Sequence, residues 1–281
     1  MDIKLICIDL DGTLLNSENA ITPRSKDALL KATQLGVHVA VSTGRTFVDA
    51  DYYSSLVGLK TPIISSNGAY IKEKDQGKVI YQNVLDENVL TTILEICKRY
   101  GISPCMNTPF KKYHGKDFSE LFKIFDEKAK KFNRIITVYK RELVENMAEW
   151  KDIIKKEKDN IIKCELYSSN KEIILKIRQE LDDLDDVEAI FSIHHSIEVT
   201  CKGVSKARGV EILAGFYNLK PENVMAIGDS ENDLSMIKYA GLGAAMGNSI
   251  DMIKEASDYV TDSNDDEGVA KAIEKFVLKM G

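Results

Sequence analysis

Asp9 and Asp11 stand at the end of a short apolar run, Leu5-Ile6-Cys7-Ile8, and lead into Gly12-Thr13. An apolar run that stops abruptly at two acids and a glycine reads as a buried parallel strand delivering carboxylates to a sheet edge. Residues two apart on an extended chain leave on the same side, so the two acids are expected to share one site. Neighbouring carboxylates repel, which raises a proton affinity or calls for a cation; the arrangement suits a metal together with a nucleophile and an acid. A solvated Asp-Gly hairpin turn would need a second strand directly after Gly12, and Pro23 with a helical pattern comes instead. A second acidic strand end follows Val224–Ile227 as Gly228-Asp229-Ser230-Glu231-Asn232-Asp233. A site built from Asp9, Asp11, Asp229 and Asp233 offers carboxylate oxygens without histidine or thiolate, which favours a hard cation, Mg²⁺ foremost. Such a metal works on phosphate. Lys206 could then supply fixed positive charge at a transferring phosphoryl group, and Thr43 a hydroxyl to one of its oxygens.

The elements that must position these residues alternate between strand and helix. Thr22-Pro23 with Ala28, Leu29, Ala32 and Leu35, then Gly36, predicts a helix with its cap, first-turn proline and closing glycine. Val37 to Val41 is a second buried strand, ending in Ser42-Thr43-Gly44-Arg45 before a helical stretch over Phe47 to Leu56. That strand end offers hydroxyls and backbone N–H groups to an anion. Pro62 to Ser65 predicts a third strand, and Ala69 to Gln82 a hairpin around Asp75-Gln76-Gly77. From about residue 85 the texture changes. Helices are expected over Asp86–Tyr100, Phe118–Phe132, Glu142–Lys156 and Lys171–Leu184, with strands at Ile135–Tyr139, Ile161–Tyr167 and Ala189–Ile193. After Val199 the first texture returns, with a helix over Ser205–Tyr217, short strands at Val224–Ile227, Leu242–Met246 and Tyr259–Thr261, and a closing helix from about Glu267. The expected fold is α/β: a doubly wound, Rossmann-like parallel sheet over residues 1–84 and 196–281, interrupted by a smaller α+β domain over residues 85–195.

Composition is that of a soluble globular protein, with 44% hydrophobic and 29% charged residues in 281. No segment approaches the roughly 18 to 20 apolar residues that cross a bilayer, so no membrane partner is expected. The chain begins directly in strand-like sequence without a secretory pattern, and a cytoplasmic location is the expectation. Five cysteines are scattered singly without Cys-x-x-Cys, against both a disulfide framework and a zinc site. Net charge is −6 and no basic stripe is interleaved with aromatics, which argues against nucleic acid. Asp229 to Asp233 starts like a calcium loop, but Leu234 and Ala240 stand where glycine and glutamate are needed. Gly241-x-Gly243-x-x-x-Gly247 has one residue too many for a dinucleotide fingerprint and surrounds a late strand. His194 and His195, adjacent on an expected strand, would point to opposite faces.

These motifs resemble those of the haloacid dehalogenase-like phosphohydrolases, in particular the Cof-type, YidA-like subgroup. Asp9-Leu10-Asp11-Gly12-Thr13-Leu14 is similar to the first motif, Thr43 in Ser42-Thr43-Gly44-Arg45 to the second, Lys206 in Lys202-Gly203-Val204-Ser205-Lys206 to the third, and Gly228 to Asp233 to the fourth. Their order and spacing cover the whole chain, and in that family a C2-type cap lies between the second and third motifs. The resemblance implies that Asp9 attacks phosphorus to form an aspartyl phosphate while Asp11 serves as acid and then base. It implies Mg²⁺ held by Asp9, the backbone carbonyl of Asp11 and Asp229, with Asp233 behind them orienting a metal-bound water or Lys206. Leu10 through its N–H, Thr43, Gly44, Lys206 and Asn232 would bind phosphate oxygens, and cap closure would exclude water. The expected activity is a Mg²⁺-dependent phosphatase of small phosphorylated metabolites, sugar phosphates first. A phosphomutase or phosphotransferase using the same intermediate is the alternative, as is a regulator that binds phosphometabolites without turnover. Arg45, Lys112, Tyr113 and His114 carry no sequence signal that separates site from surface.

Overall fold

The computed structural model of the chain describes residues 2–74, 77–131, 138–192 and 195–280. It divides into two compact units, one of Met1–Tyr81 with Ser205–Gly281 and one of Gln82–Val204. The first opens with β1 (Leu5–Ile8), α1 (Pro23–Gln34), β2 (His38–Val41), α2 (Phe47–Val57) and β3 (Ile63–Ser65), then β4 (Tyr70–Lys72) and β5 (Val79–Gln82). The second unit holds α3 (Glu87–Tyr100), β6 (Pro104–Asn107), β7 (Lys111–His114), α4 (Lys116–Lys131), β8 (Lys140–Leu143), α5 (Met147–Lys156), β9 (Lys163–Tyr167), α6 (Lys171–Asp182), β10 (Val187–Ser192) and β11 (Ser196–Cys201). The chain returns to the first unit with α7 (Lys206–Phe216), β12 (Val224–Gly228), α8 (Leu234–Tyr239), β13 (Leu242–Ala245), α9 (Asp251–Ala256), β14 (Tyr259–Val260) and α10 (Gly268–Ile273).

In the first unit a parallel sheet runs β14-β13-β12-β1-β2, the α/β sheet expected from the alternating pattern. An isolated bridge between Ser42 and Ile64 brings β3 alongside the end of β2. The central strand β1 is apolar at all four positions because both faces are covered. Leu5, Ile6 and Ile8 are at most 1% exposed, and full burial of such side chains contributes roughly 1.5–3 kcal/mol each. A register slip of one residue would draw Lys4 or Asp9 into the apolar stretch of the strand, so the strand that carries Asp9 is fixed in place. Helix α1 starts where the sequence indicates: Thr22 Oγ1 accepts from the Ser25 amide at 3.2 Å, and Pro23 occupies the first helical position.

The second unit is α+β. Its described strands form a mostly antiparallel sheet in the order β10-β11-β9-β6-β7-β8. The pleat separates two faces: Met106, Tyr113, Cys164, Leu166, Ile197 and Val199 enter an apolar core shared with α3, α5 and α6. The opposite face carries Asn107, Lys112, Lys163, Glu165 and Glu198. The helix expected from Glu142 starts only at Met147, because residues up to Leu143 pair with β7 and Asn146 caps the helix through the Ala148 and Glu149 amides. The strands β6 and β7, which lack an apolar alternation, were not expected. The strand predicted at Ile135–Tyr139 falls largely on residues 132–137, and His194 likewise lies outside the described residues; His195 sits in a turn with φ 57° instead of on a strand. The five cysteines are free, four of them buried. Among the described residues no helix is long and apolar enough to cross a membrane.

Candidate active site

The register of the parallel sheet brings three strand ends to one edge. Ile8 is level with Val41 on one side and Ile227 on the other, so Asp9, Ser42-Thr43 and Asp229 emerge together. Backbone bonds continue past the strands: the Asp9 amide donates to the Ile227 carbonyl at 3.0 Å, Ser42 to Ile8 at 2.8 Å and Thr43 to Ile64 at 3.0 Å. Carboxyl ends of parallel strands are where open α/β sheets hold ligands.

Lys206 reaches the same point from the first residue of α7, whose start is capped by the Ser205 hydroxyl accepting from the Arg208 amide at 3.1 Å. It is 1% exposed, and its Nζ donates to Asp9 Oδ1 at 2.6 Å and Asp233 Oδ1 at 2.5 Å. The other oxygen of Asp233 accepts from the backbone amides of Asp229 and Ser230, at 2.9 and 3.0 Å, so both are engaged. Asp229 accepts from the hydroxyls of Thr13 at 2.8 Å and Ser230 at 3.1 Å. Two glycines make this crowding possible. A Cβ on Gly12, whose φ is +78°, would lie 2.5 Å from Asp229 Oδ2, and one on Gly228 would lie 2.5 Å from Asp233 Cβ.

One carboxylate oxygen from each of Asp9, Asp229 and Asp233 lies within 4.8 Å of the other two. The electrostatics follow from burial and crowding. Burial pushes the Asp9 carboxyl well above the usual carboxylate range, against the pull of Lys206, and Asp233, Asp229 and Asp11 add to the rise. Burial, then Asp233, pushes Asp229 up to about 6. Burial would lower the Lys206 ammonium, but Asp233 and Asp9 outweigh it and hold it above its ordinary value. An all-oxygen donor set under mutual repulsion fits a hard divalent cation. Asp233 is bonded through one oxygen to Lys206 and through the other to two amides, Asp229 through both oxygens to hydroxyls, and Asp9 through one oxygen to Lys206.

The remaining residues singled out in the sequence surround this trio. Leu10 is fully buried behind Asp9, and its carbonyl accepts from the Leu15 amide at 2.8 Å. Thr43 is buried, its hydroxyl accepting from the Arg45 amide at 3.2 Å across Gly44. Asn232, in the turn between β12 and α8, donates to Asn67 Oδ1 at 3.2 Å. Asn67 itself lies in a left-handed turn after β3, and its amide donates to the Thr43 carbonyl at 3.0 Å. Asp11 lies near enough to Asp9 to add to the rise of its carboxyl. Its carboxylate turns to Arg45, which donates from Nε at 2.7 Å and Nη2 at 2.6 Å. Sequence reasoning passed over Thr13, Asn67 and Asn248, which donates to the Gly12 carbonyl at 2.8 Å. Thr13 stands within the first motif and Asn67 in the Ser66-Asn67-Gly68 that follows the third predicted strand, whereas Asn248 carried no signal.

Comparisons with known proteins agree with this geometry. A family model for haloacid dehalogenase-like hydrolases matches residues 6–273. A 5-amino-6-(5-phospho-D-ribitylamino)uracil phosphatase of Bacillus subtilis is 33% identical over 278 residues, covering 99% of this chain and 97% of that protein. A phosphoglycolate phosphatase of Methanobrevibacter smithii is 31% identical over 278 residues, covering 99% and 100%. Among solved structures, a haloacid dehalogenase-like hydrolase from B. subtilis superposes with a TM-score of 0.84 at 29% identity, covering 98% of this chain and 100% of that one. The chain therefore belongs to the haloacid dehalogenase-like hydrolases, as a phosphatase of the Cof type.

Proposed function

We propose that this protein hydrolyses phosphate monoesters of small metabolites, sugar phosphates foremost, in a Mg²⁺-dependent reaction through an aspartyl phosphate on Asp9. The observation that carries the reading is Asp9 itself: a buried carboxylate at a strand end, bonded to a buried lysine and crowded by Asp229 and Asp233. A protein that only bound phosphate would gain nothing from repelling acids there.

In this reading an oxygen of Asp9 attacks phosphorus and the ester P–O bond breaks, the departing oxygen taking a proton from Asp11. Water then attacks phosphorus and gives its proton to Asp11; the bond to Asp9 breaks, freeing phosphate and restoring the carboxylate. Asp9, Asp229 and the Asp11 carbonyl would hold Mg²⁺, with Asp233 fixing Lys206 and the Asp229 backbone behind them. The bound ion would neutralise charge between nucleophile and phosphate. Lys206 would add fixed positive charge, and the Thr43 hydroxyl, the Gly44 and Leu10 amides and Asn232 would receive phosphate oxygens. Relatives named for a phosphoribityl compound and for phosphoglycolate support a small phosphorylated metabolite as substrate.

The test is phosphate release from a panel of sugar, polyol and carboxylate phosphates, with Mg²⁺ and with chelator, for the natural chain and for Asp9→Asn. Loss of release in Asp9→Asn, together with a beryllofluoride adduct trapped only when Asp9 is present, is the expected result. Release that survives the substitution removes Asp9 as the nucleophile.

A further inference from the structure

Asp11, the acid and base of the proposed reaction, turns both carboxylate oxygens to Arg45, a residue that reaction does not otherwise use. Asp11 is 40% exposed at its side chain, on the loop after β1, where an unrestrained carboxylate would sample several rotamers. Both of its oxygens are instead taken by one guanidinium, at 2.7 Å from Nε and 2.6 Å from Nη2. A bidentate fork fixes direction as well as distance, which a lysine ammonium cannot do.

The guanidinium is itself braced. Its side chain is 17% exposed and its central carbon lies 4.8 Å from the centre of the Tyr53 ring on α2. The guanidinium pulls the Tyr53 phenol down against the rise that burial gives it. The Arg45 backbone is held on both sides, its amide by the Thr43 hydroxyl at 3.2 Å and its carbonyl by the Ser66 amide at 2.9 Å. A chain of fixed contacts thus runs from α2 and the ends of β2 and β3 to the carboxylate of Asp11.

We propose that Arg45 is a positioning residue for Asp11, with Tyr53 as its brace: the fork confines the Asp11 carboxylate to the orientation from which it serves the leaving oxygen and the attacking water. The inference rests on Asp11 being the acid and base. Displacing a reacting group by about 1 Å costs on the order of 100-fold in rate, so loss of the fork should lose part of the roughly 10²- to 10⁴-fold that an acid or base supplies.

The experiment measures kcat/KM with Mg²⁺ for a series of phosphate monoesters, from alkyl esters to 4-nitrophenyl phosphate, in the natural chain, Arg45→Met, Arg45→Lys, Tyr53→Phe, Asp11→Asn and the Asp11→Asn/Arg45→Met pair. Only poor leaving groups need a well-placed acid. Arg45→Met should lower kcat/KM about 10- to 100-fold for alkyl esters and no more than about threefold for the aryl ester, through kcat and not KM. Arg45→Lys, which keeps the charge, should recover only a minor part, and Tyr53→Phe should fall between. In the Asp11→Asn chain, Arg45→Met should change the leaving-group dependence less than twofold. Equal losses across the series, or a rise in KM for every ester, would make Arg45 a structural or phosphate-binding residue and overturn the proposal. An added effect of Arg45→Met in the Asp11→Asn chain would do the same. If Asp11→Asn itself leaves the leaving-group dependence unchanged, the role of Asp11 fails; if it alters that dependence and Arg45→Met does not, only the inference about Arg45 fails.

Discussion

Burial of Asp229, with Asp233 beside it, should be measurable as stability that a divalent cation restores. Its carboxyl stands at about 6 against an ordinary 3.8, a difference of about two units or about 3 kcal/mol. The folded state keeps this proton to higher pH than the unfolded chain, so between pH about 4 and 6 it binds more protons and stability falls as pH rises. Above that window the loss is complete. Other carboxylates titrate there too, so the informative quantity is the difference between the natural chain and Asp229→Asn, whose amide can still accept from Thr13. In chelator, urea unfolding should show Asp229→Asn gaining up to about 3 kcal/mol on the natural chain between pH 4 and 7, which corresponds to about 6–12 °C in Tm. Saturating Mg²⁺ should cancel that gain, because an ion bound only by the folded natural chain stabilises it by mass action and displaces the proton. The Mg²⁺ shift in Tm should therefore be small at pH 5, large at pH 8 and absent in Asp229→Asn. A shift of equal size at both pH values, or a natural chain and Asp229→Asn whose stabilities run parallel from pH 4 to 7, would refute the claim that the cost of a buried, crowded charge at Asp229 is what the cation relieves.

Lys206→Met should destabilise the fold by about 3–5 kcal/mol in urea titrations, since it strands two buried carboxylates; adding Asp233→Asn should return part of that stability and none of the phosphate release. Gly12→Ala should cost about 1–3 kcal/mol from its φ of +78° alone, and calorimetric Mg²⁺ binding should weaken with it because the new methyl meets Asp229. Glu165→Gln should destabilise the second unit by about 3 kcal/mol, because Lys112 and Lys163, at 2.8 and 3.1 Å, lose their shared counter-charge. Despite burial, those lysines hold the Glu165 carboxyl below its ordinary range. Its contribution is present above pH about 4.5 and lost as pH falls, so the Glu165→Gln chain should show the weaker acid destabilisation.

What could be read beforehand follows the range of the forces involved. The strand β1 and its acids were legible because four buried positions in a row are a local pattern and the abrupt change to Asp9-Leu10-Asp11-Gly12 is visible without any partner. The start of α1 was legible for the same reason, since Thr22 caps a helix that begins at the next residue. The strands β6 and β7 were not, because Pro-Cys-Met-Asn and Lys-Lys-Tyr-His owe their extended form to cross-strand pairing with β9 and β8. Helix α5 started late because Lys140–Leu143 has the charge pattern of a helical face but is claimed by β7. At the site, spacing brought Asp9 and Asp11 to attention but not the direction of the Asp11 side chain, which is decided by Arg45 from 34 positions away.

Charge counting explains why these acids can coexist only in company. Asp9, Asp229 and Asp233, as carboxylates beside one Lys206 ammonium, leave two negative charges in a space where their oxygens lie within 4.8 Å. At about 5 Å and an effective dielectric of about 20, each further unit of like charge brought in is repelled by about 3 kcal/mol per charge it meets. A phosphate dianion would meet that barrier in full. A divalent cation would cancel the excess and leave Lys206 and the amides at the ends of β1 and β2 beside a site of no net charge. The lysine alone cannot do this, because it is already shared between Asp9 and Asp233 and has no neutralising charge to spare for Asp229. The same count requires that removing one acid lighten the demand for the ion: Asp229→Asn should bind inorganic phosphate in chelator more tightly than the natural chain does, even as its phosphate release fails.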